Sequence, residues 1–220
     1  MEKFIWASDL LFGKSYMTQW DKFSEEKFKK IFTEKKKVLD IGGGLRILKG
    51  KGNRYNKSRE WLIPFLNDVE YKILDPVSDY NPDIVGDIHN LPFEDNSQDA
   101  IICIAVLEHV ENPIKACKEI YRVLNPGGYC FVYVPFLFYY HAEKGYYKDY
   151  WRFSADAIDI LFKKFSVIEK VGVRGALSTW IKISPLGRSK IIIWIANKLD
   201  IIFNKINSKQ VSGYNVFLVK

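Results

Sequence analysis

Apolar residues recur along the chain in short runs that end in an acid or a turn, and stretches of helical spacing lie between them. The runs fall at 37–41, 71–75, 83–88, 99–104, 129–134, about 166–171 and about 214–219. Continuous apolar runs of this length, bounded by Gly, Pro and Asp, read as buried strands. Residues 18–32 place Trp20, Phe23, Phe28, Ile31 and Phe32 among Lys and Glu, which predicts a helix covering one face of a sheet. A second helix is expected near 60–66. A third starts at Asn112-Pro113, with proline at its first position, and reaches about Leu124. Asn125-Pro126-Gly127-Gly128 predicts a turn into the fifth strand. Ser154, helped by Asp156, caps a helix over 155–164. Strands alternating with helices predict an α/β fold.

The region before the last strand has a different pattern. As a helix, 188–206 puts Ile192, Ile195, Leu199, Ile202, Phe203 and Ile206 on one face and Lys190, Asn197, Asp200 and Asn204 opposite. Ile193, Trp194 and Ile201 widen the apolar surface beyond one packed stripe. Asn197, Lys198 and Asp200 interrupt it too often for a bilayer span.

Strand one stops at Asp40-Ile41-Gly42-Gly43-Gly44. Consecutive glycines allow a sharp turn and let a ligand pack against bare backbone. Such a turn marks the carboxyl edge of an open α/β sheet, where ligands bind. The dinucleotide spacing G-x-G-x-x-G is not met, because Ile47 stands where the last glycine belongs. Asp75 closes the second strand 31 residues past Gly44, against about 20 in a compact nucleotide-binding unit. The surplus falls in 46–59, a polar, basic stretch with Arg46, Lys49, Lys51, Arg54, Lys57, Arg59, Gly50 and Gly52, read as an inserted loop.

Taken in order, the glycine turn, Asp75, Asp87-Ile88, the 99–104 strand with Leu107-Glu108-His109-Val110, and Asn125-Pro126-Gly127-Gly128 resemble the class I S-adenosylmethionine-dependent methyltransferases of the small single-domain type. The resemblance covers about 37–165. It implies a Rossmann-like, seven-stranded, mostly parallel sheet with helices on both faces, the last strand lying antiparallel between the fifth and sixth. Length and patterning point to one domain over 1–220, with an N-terminal helical cover over about 1–36 and a basic helical insertion over about 180–207. The activity implied is transfer of a methyl group from the cofactor S-adenosylmethionine. One departure is Arg46, where the family often has a further glycine.

The resemblance assigns Asp40, Gly42, Gly43 and Gly44 to the methionine part of the cofactor and Asp75 to the ribose hydroxyls. Asp87 and the backbone of Ile88 go to the adenine, and Ile104 to the opposite wall. Each has a structural alternative: a βα turn, a cap before Pro76, or an Asx turn at Asp87. His109 reads as packing near the cofactor and His89 as loop structure. Asp149-Tyr150-Trp151-Arg152-Phe153-Ser154 looks like a segment of methyltransferases that accompany bacterial surface-glycan enzymes. His141 is the expected base for an oxygen acceptor, Tyr150 and Trp151 the stacking groups, and Arg152 the grip on an anion. The alternative is an aromatic core ending in a helix cap.

Composition narrows the classes. Hydrophobic content of 48% over 220 residues suits a globular domain with a full core. Met1-Glu2-Lys3-Phe4-Ile5-Trp6 does not resemble a signal peptide, and Cys103, Cys117 and Cys130 have neither disulfide nor metal-ligand spacing. The expectation is a cytoplasmic protein with buried thiols and no metal site. From residue 170 onward, nine Lys or Arg face a single acid, Asp200, so the first 169 residues sum to −1 of the net +7. Neither an Asn-Pro-Pro-Tyr signature nor a Pro-Cys pair is present, which disfavours nucleic-acid bases. The expected acceptor is a small molecule or a lipid-linked glycan, and Lys182, Arg188, Lys190, Lys198 and Lys205 predict peripheral contact with an anionic membrane. The basic loop and tail keep an RNA methyltransferase as an alternative. A non-catalytic S-adenosylmethionine-binding module is another.

Overall fold

The computed structural model describes residues 17–51 and 55–220. The start of the expected N-terminal cover, and Gly52 and Arg54 of the basic loop, lie outside the described residues. Helix α1 (Gln19–Glu34) begins at Thr18, whose side chain accepts from the Asp21 amide. The strands are β1 (Lys37–Ile41), β2 (Glu70–Asp75), β3 (Ile84–Val85), β4 (Gln98–Ile104), β5 (Leu124–Pro135), β6 (Val167–Val173) and β7 (Gly213–Val219). Helix α2 (Pro113–Val123) precedes β5, α3 (Ala155–Leu161) precedes β6, and α4 (Ala176–Ile183) and α5 (Lys190–Ile202) lie between β6 and β7.

The sheet order is β3-β2-β1-β4-β5-β7-β6. The pairs from β3 to β5 are parallel, whereas β7 runs antiparallel to both of its neighbours. This is the seven-stranded, Rossmann-like arrangement expected from the sequence. Its order reverses between β1 and β4, so the carboxyl ends of these strands flank the crevice where open α/β sheets take ligands. The period-two alternation of strands sorts the core. Leu39, Ile41, Ile101 and Cys103 pack on one face with Ala116 and Ile120 of α2 and Ile158 of α3. Val38, Ala100, Ile102, Phe131 and Phe217 pack on the other with Phe28, Ile31 and Phe32 of α1. The three cysteines are buried thiols.

Four local expectations change. The helix near 60–66 is a 3-10 segment, Lys57–Asp68; Pro64 inside it has no amide for an α-helical bond. Residues 125–128 do not leave the sheet but form the irregular start of β5, where the register shifts. The helix over 155–164 stops at Leu161. The helix over 188–206 is shorter, preceded by a 3-10 turn at Pro185–Arg188.

The same helix also reverses a face. Asp200, assigned to the polar side of α5, is buried, and its carboxylate accepts from the amides of Leu177 (2.8 Å) and Ser178 (2.9 Å) at the start of α4. No residue near the α4 start supplies a carboxylate of its own, so the acid comes from the packed partner helix. With Asp200 turned inward, Ile191, Ile202 and Phe203 turn out, each at least 60% exposed. Asp200→Ala leaves two buried amides unpaired and is expected to cost about 2 kcal/mol. A lower urea midpoint at unchanged slope is the expected readout.

Candidate functional site

The glycine turn is shaped from beneath. Asp40 is fully buried; its Oδ1 accepts from the Gly44 amide (3.0 Å), and its Oδ2 from the Leu45 amide (3.0 Å) and the Tyr71 hydroxyl (2.6 Å). Burial pushes its carboxyl up to about 6, against the pull of Tyr71, the two amides and Arg59. Arg59 lies under the same turn and donates to the Gly44 carbonyl at 2.8 Å. Glycine is required here for two reasons. Gly42 has φ +76°, and a Cβ on it would meet Val106 Cγ2 at 2.5 Å; one on Gly44 would meet the Ile104 carbonyl oxygen at 2.8 Å.

Above the turn lies a cavity of about 960 Å³. Gly42, Gly43, Asp75, Asp87, Ile88 and Ile104 line it, so the ends of β1, β2 and β4 and the loop after β3 converge there. Asp40 and Gly44 sit behind that wall and act on it through the backbone. Asp75 is 8% exposed, and its Oδ1 accepts from the Val77 amide at 2.8 Å. Burial raises its carboxyl above the ordinary range. Asp87 forms the Asx turn that was its structural alternative, accepting from the His89 amide (2.9 Å) and facing His89 Nδ1 (2.8 Å). Burial opposes its charge, but the His89 contacts prevail and lower the pKa. His89 Nε2 takes the Asn112 amide at 3.2 Å, so this histidine clamps the loop.

The opposite wall is the 136–153 segment after β5. It hangs on the β4 loop: the Tyr150 amide donates to the Glu108 carbonyl at 2.7 Å, and the Trp151 indole to the Val110 carbonyl at 2.8 Å. Tyr139, Tyr140, Tyr146, Tyr150 and Trp151 are all more than 40% exposed, whereas Phe153 is buried in the core and Ser154 caps α3, so only the end of the segment follows the aromatic-core alternative. Tyr150 lines the cavity with Tyr140, Tyr146 and Tyr147, whereas Trp151 stands outside it. Arg152 is not available to a ligand. All five guanidinium donors are used: to the carbonyls of Phe138, Tyr139 and Trp151 and, as a fork, to Asp149. The expected anion grip is a brace for the loop, and its hydrogen bonds hold the Asp149 carboxyl at about 2.

His141 sits against this brace. Its amide donates to Asp149, its Nδ1 lies 3.1 Å from the Tyr139 carbonyl, and its Nε2 lies 3.6 Å from Glu108 Oε1. Glu108 raises the imidazole pKa more than burial lowers it. His109 lines the cavity, with Nδ1 on the Lys148 carbonyl at 2.6 Å. Glu108 went unassigned in the sequence, although the Glu-His pair after a strand end was the available signal.

The family profile described as a methyltransferase domain matches residues 67–132. An uncharacterized protein of Methanocaldococcus jannaschii is 37% identical over 97 residues, covering 44% of this chain and 40% of its own length. A ubiquinone/menaquinone biosynthesis C-methyltransferase of Vibrio cholerae is 34% identical over 101 residues, covering 42% and 38%. The chain therefore spans about two fifths of the length of these relatives. A solved SAM-dependent methyltransferase of Archaeoglobus fulgidus superposes with TM-score 0.56 at 15% identity, covering 90% of this chain and 92% of its own. The fold is that of the class I methyltransferases.

A carboxyl with a higher pKa folded than unfolded holds its proton more tightly in the folded state. Asp40 therefore stabilises fully below the unfolded value of about 4, and this contribution is lost as pH rises to about 6. Over that window the wild type is expected to lose on the order of 2 to 3 kcal/mol relative to Asp40→Asn. Urea unfolding of both proteins at pH 4, 5, 6 and 7 measures it; a constant gap would place the titration elsewhere.

Proposed function

We propose that the protein transfers a methyl group from S-adenosylmethionine to a hydroxyl of a small-molecule or lipid-linked glycan acceptor. The observation that carries the cofactor is the convergence of four features on one cavity: the bare Gly42-Gly43 backbone, Asp75 at the end of β2, Asp87-Ile88 after β3, and Ile104 at the end of β4. A carboxylate at the Asp75 position suits two adjacent ribose hydroxyls, because it accepts both at once. The Asx turn fixes Asp87 and leaves it at the cavity wall to meet an exocyclic amine. Bound S-adenosylmethionine supplies a methyl group on a sulfonium. The chain's own task is then to align the acceptor and exclude water, and positioning of this kind can provide most of the acceleration.

The acceptor end of the cavity is the aromatic wall. Flat tyrosine rings suit sugar or isoprenoid faces, and the Glu108–His109–His141 cluster adjoins them. On this reading oxygen activation belongs to the cluster rather than to His141 alone.

The α4–α5 flank supports an acceptor presented at a membrane. Trp180, Ile191, Ile202 and Phe203 are exposed, and Lys182, Arg188, Lys190, Lys198 and Lys205 lie in the same stretch of chain, while the one acid of the region, Asp200, is buried. Apolar side chains together with cations match the interface of an anionic bilayer. Among the described residues no helix is long and apolar enough to cross one.

S-adenosylmethionine or S-adenosylhomocysteine is expected to raise the melting temperature. Asp75→Ala should weaken that binding by about 10- to 100-fold, the worth of a charged hydrogen bond, in a protein that still folds. A larger shift with NADH would overturn the cofactor assignment. In vesicle flotation, binding to anionic but not neutral vesicles, lost at high salt, is expected. Absence of flotation with every lipid would remove the membrane from the proposal.

A further inference from the structure

Glu108 is the most anomalous side chain of the site. Its carboxylate is 1% exposed, and neither oxygen has a hydrogen-bond partner among the described residues. Burying a carboxylate in this way is strongly unfavourable unless a cation compensates it. Two imidazoles face it: His141 Nε2 at 3.6 Å and His109 Nε2 at 3.9 Å from Oε1. Both distances are too long for a hydrogen bond.

The far side of each ring completes the pattern. His109 Nδ1 points at the Lys148 carbonyl (2.6 Å), and His141 Nδ1 at the Tyr139 carbonyl (3.1 Å) and the Asp149 carboxylate (3.2 Å). A histidine that gives its Nδ1 proton to a carbonyl or carboxylate presents an unprotonated Nε2, the arrangement that orients metal-ligating imidazoles. Arg152 in turn fixes Asp149. One ligand atom from each of Glu108, His109 and His141 lies within 4.8 Å of the others. Ligands at about 2.1 Å from a common ion sit roughly 3 to 3.5 Å apart, so closure needs only a small shift of the loop that carries His141.

We infer that Glu108, His109 and His141 form a binding site for a divalent transition-metal ion of the zinc type, at the acceptor end of the cavity. Two imidazoles and one carboxylate suit zinc and its first-row neighbours, whereas Mg²⁺ prefers an all-oxygen shell. Three protein ligands leave positions open on the cavity side, where His109 reaches the wall. Sequence spacing did not show the site, because His141 comes from the loop after β5 and meets the Glu-His pair only in the fold.

The consequence for the reaction rests on the methyltransferase reading; the ion site itself does not. An acceptor hydroxyl bound to the ion is acidified and releases its proton to water. The oxygen lone pair then forms the bond to the methyl carbon as the carbon–sulfur bond breaks, and that electron pair stays on sulfur. The ion keeps its oxidation state. The site would thus select acceptors with a hydroxyl next to a second oxygen, such as a vicinal diol or a hydroxy acid.

The test uses the chelator-treated full chain without S-adenosylmethionine, titrated with Zn²⁺ and with Co²⁺ as a spectroscopic probe. Expected are one ion per chain, visible Co²⁺ bands, and affinity at least about 100-fold lower in Glu108→Gln and in His141→Ala, beyond the loss of an outer-shell partner. Both variants should keep the wild-type thermal shift with S-adenosylhomocysteine, which shows that they fold. Binding of neither ion, or binding that both variants retain, would overturn the site. An ion bound without any response to S-adenosylmethionine would instead sink the methyltransferase reading and leave the site standing.

Discussion

The Asp40 carboxylate is the contact on which the cavity depends. It draws two amides of the glycine turn inward and takes the hydroxyl of Tyr71 from the neighbouring strand. This joins β1, β2 and the turn before any ligand arrives. The turn can approach so closely because Gly42 and Gly44 have no Cβ to meet Val106 and Ile104. Arg59 adds a buried cation beneath it. The cost is a carboxylate kept out of water, and the three hydrogen bonds only partly offset it.

The two walls of the cavity are built on different principles. One side is made of strand ends, so its residues inherit their positions from the parallel ladder. The other side is an irregular segment held by its own polar contacts: Phe136 and Leu137 on Ser212 and Val211, Tyr150 on Glu108, Phe153 on Pro135, and Arg152 at the centre. A wall of that kind can change its aromatic face without disturbing the sheet. Under the proposed function, the loop would set the choice of acceptor and the sheet the hold on the cofactor.

Strand positions were legible because each follows from a run of apolar residues, and 37–41 coincides with β1. The convergence of Asp75, Asp87 and the glycine turn on one cavity was legible for the same reason, since acids at strand ends arrive on one edge once the sheet is parallel. What the sequence hid lies where partners are distant. Asp200 looked solvated because helical spacing records only its own helix, and the amides it binds belong to α4. Arg152 looked like a ligand grip because three of its five bonds go to carbonyls, which leave no trace in a sequence. His141 and Glu108 are 33 positions apart and meet only through the packing of the loop on β4.

The antiparallel strand also shapes how the chain folds. β6 pairs only with β7, and β7 must insert between β6 and β5, a closure across the whole α4–α5 region. The β1 to β5 half can assemble from near neighbours, whereas β6 has no partner strand until that long loop closes. During this interval the apolar residues of α4 and α5 are exposed beside an unpaired strand, a combination that favours misassociation. Lysines placed along the same region, Lys182, Lys190, Lys198 and Lys205, repel one another between chains and act as gatekeepers while the sheet is incomplete.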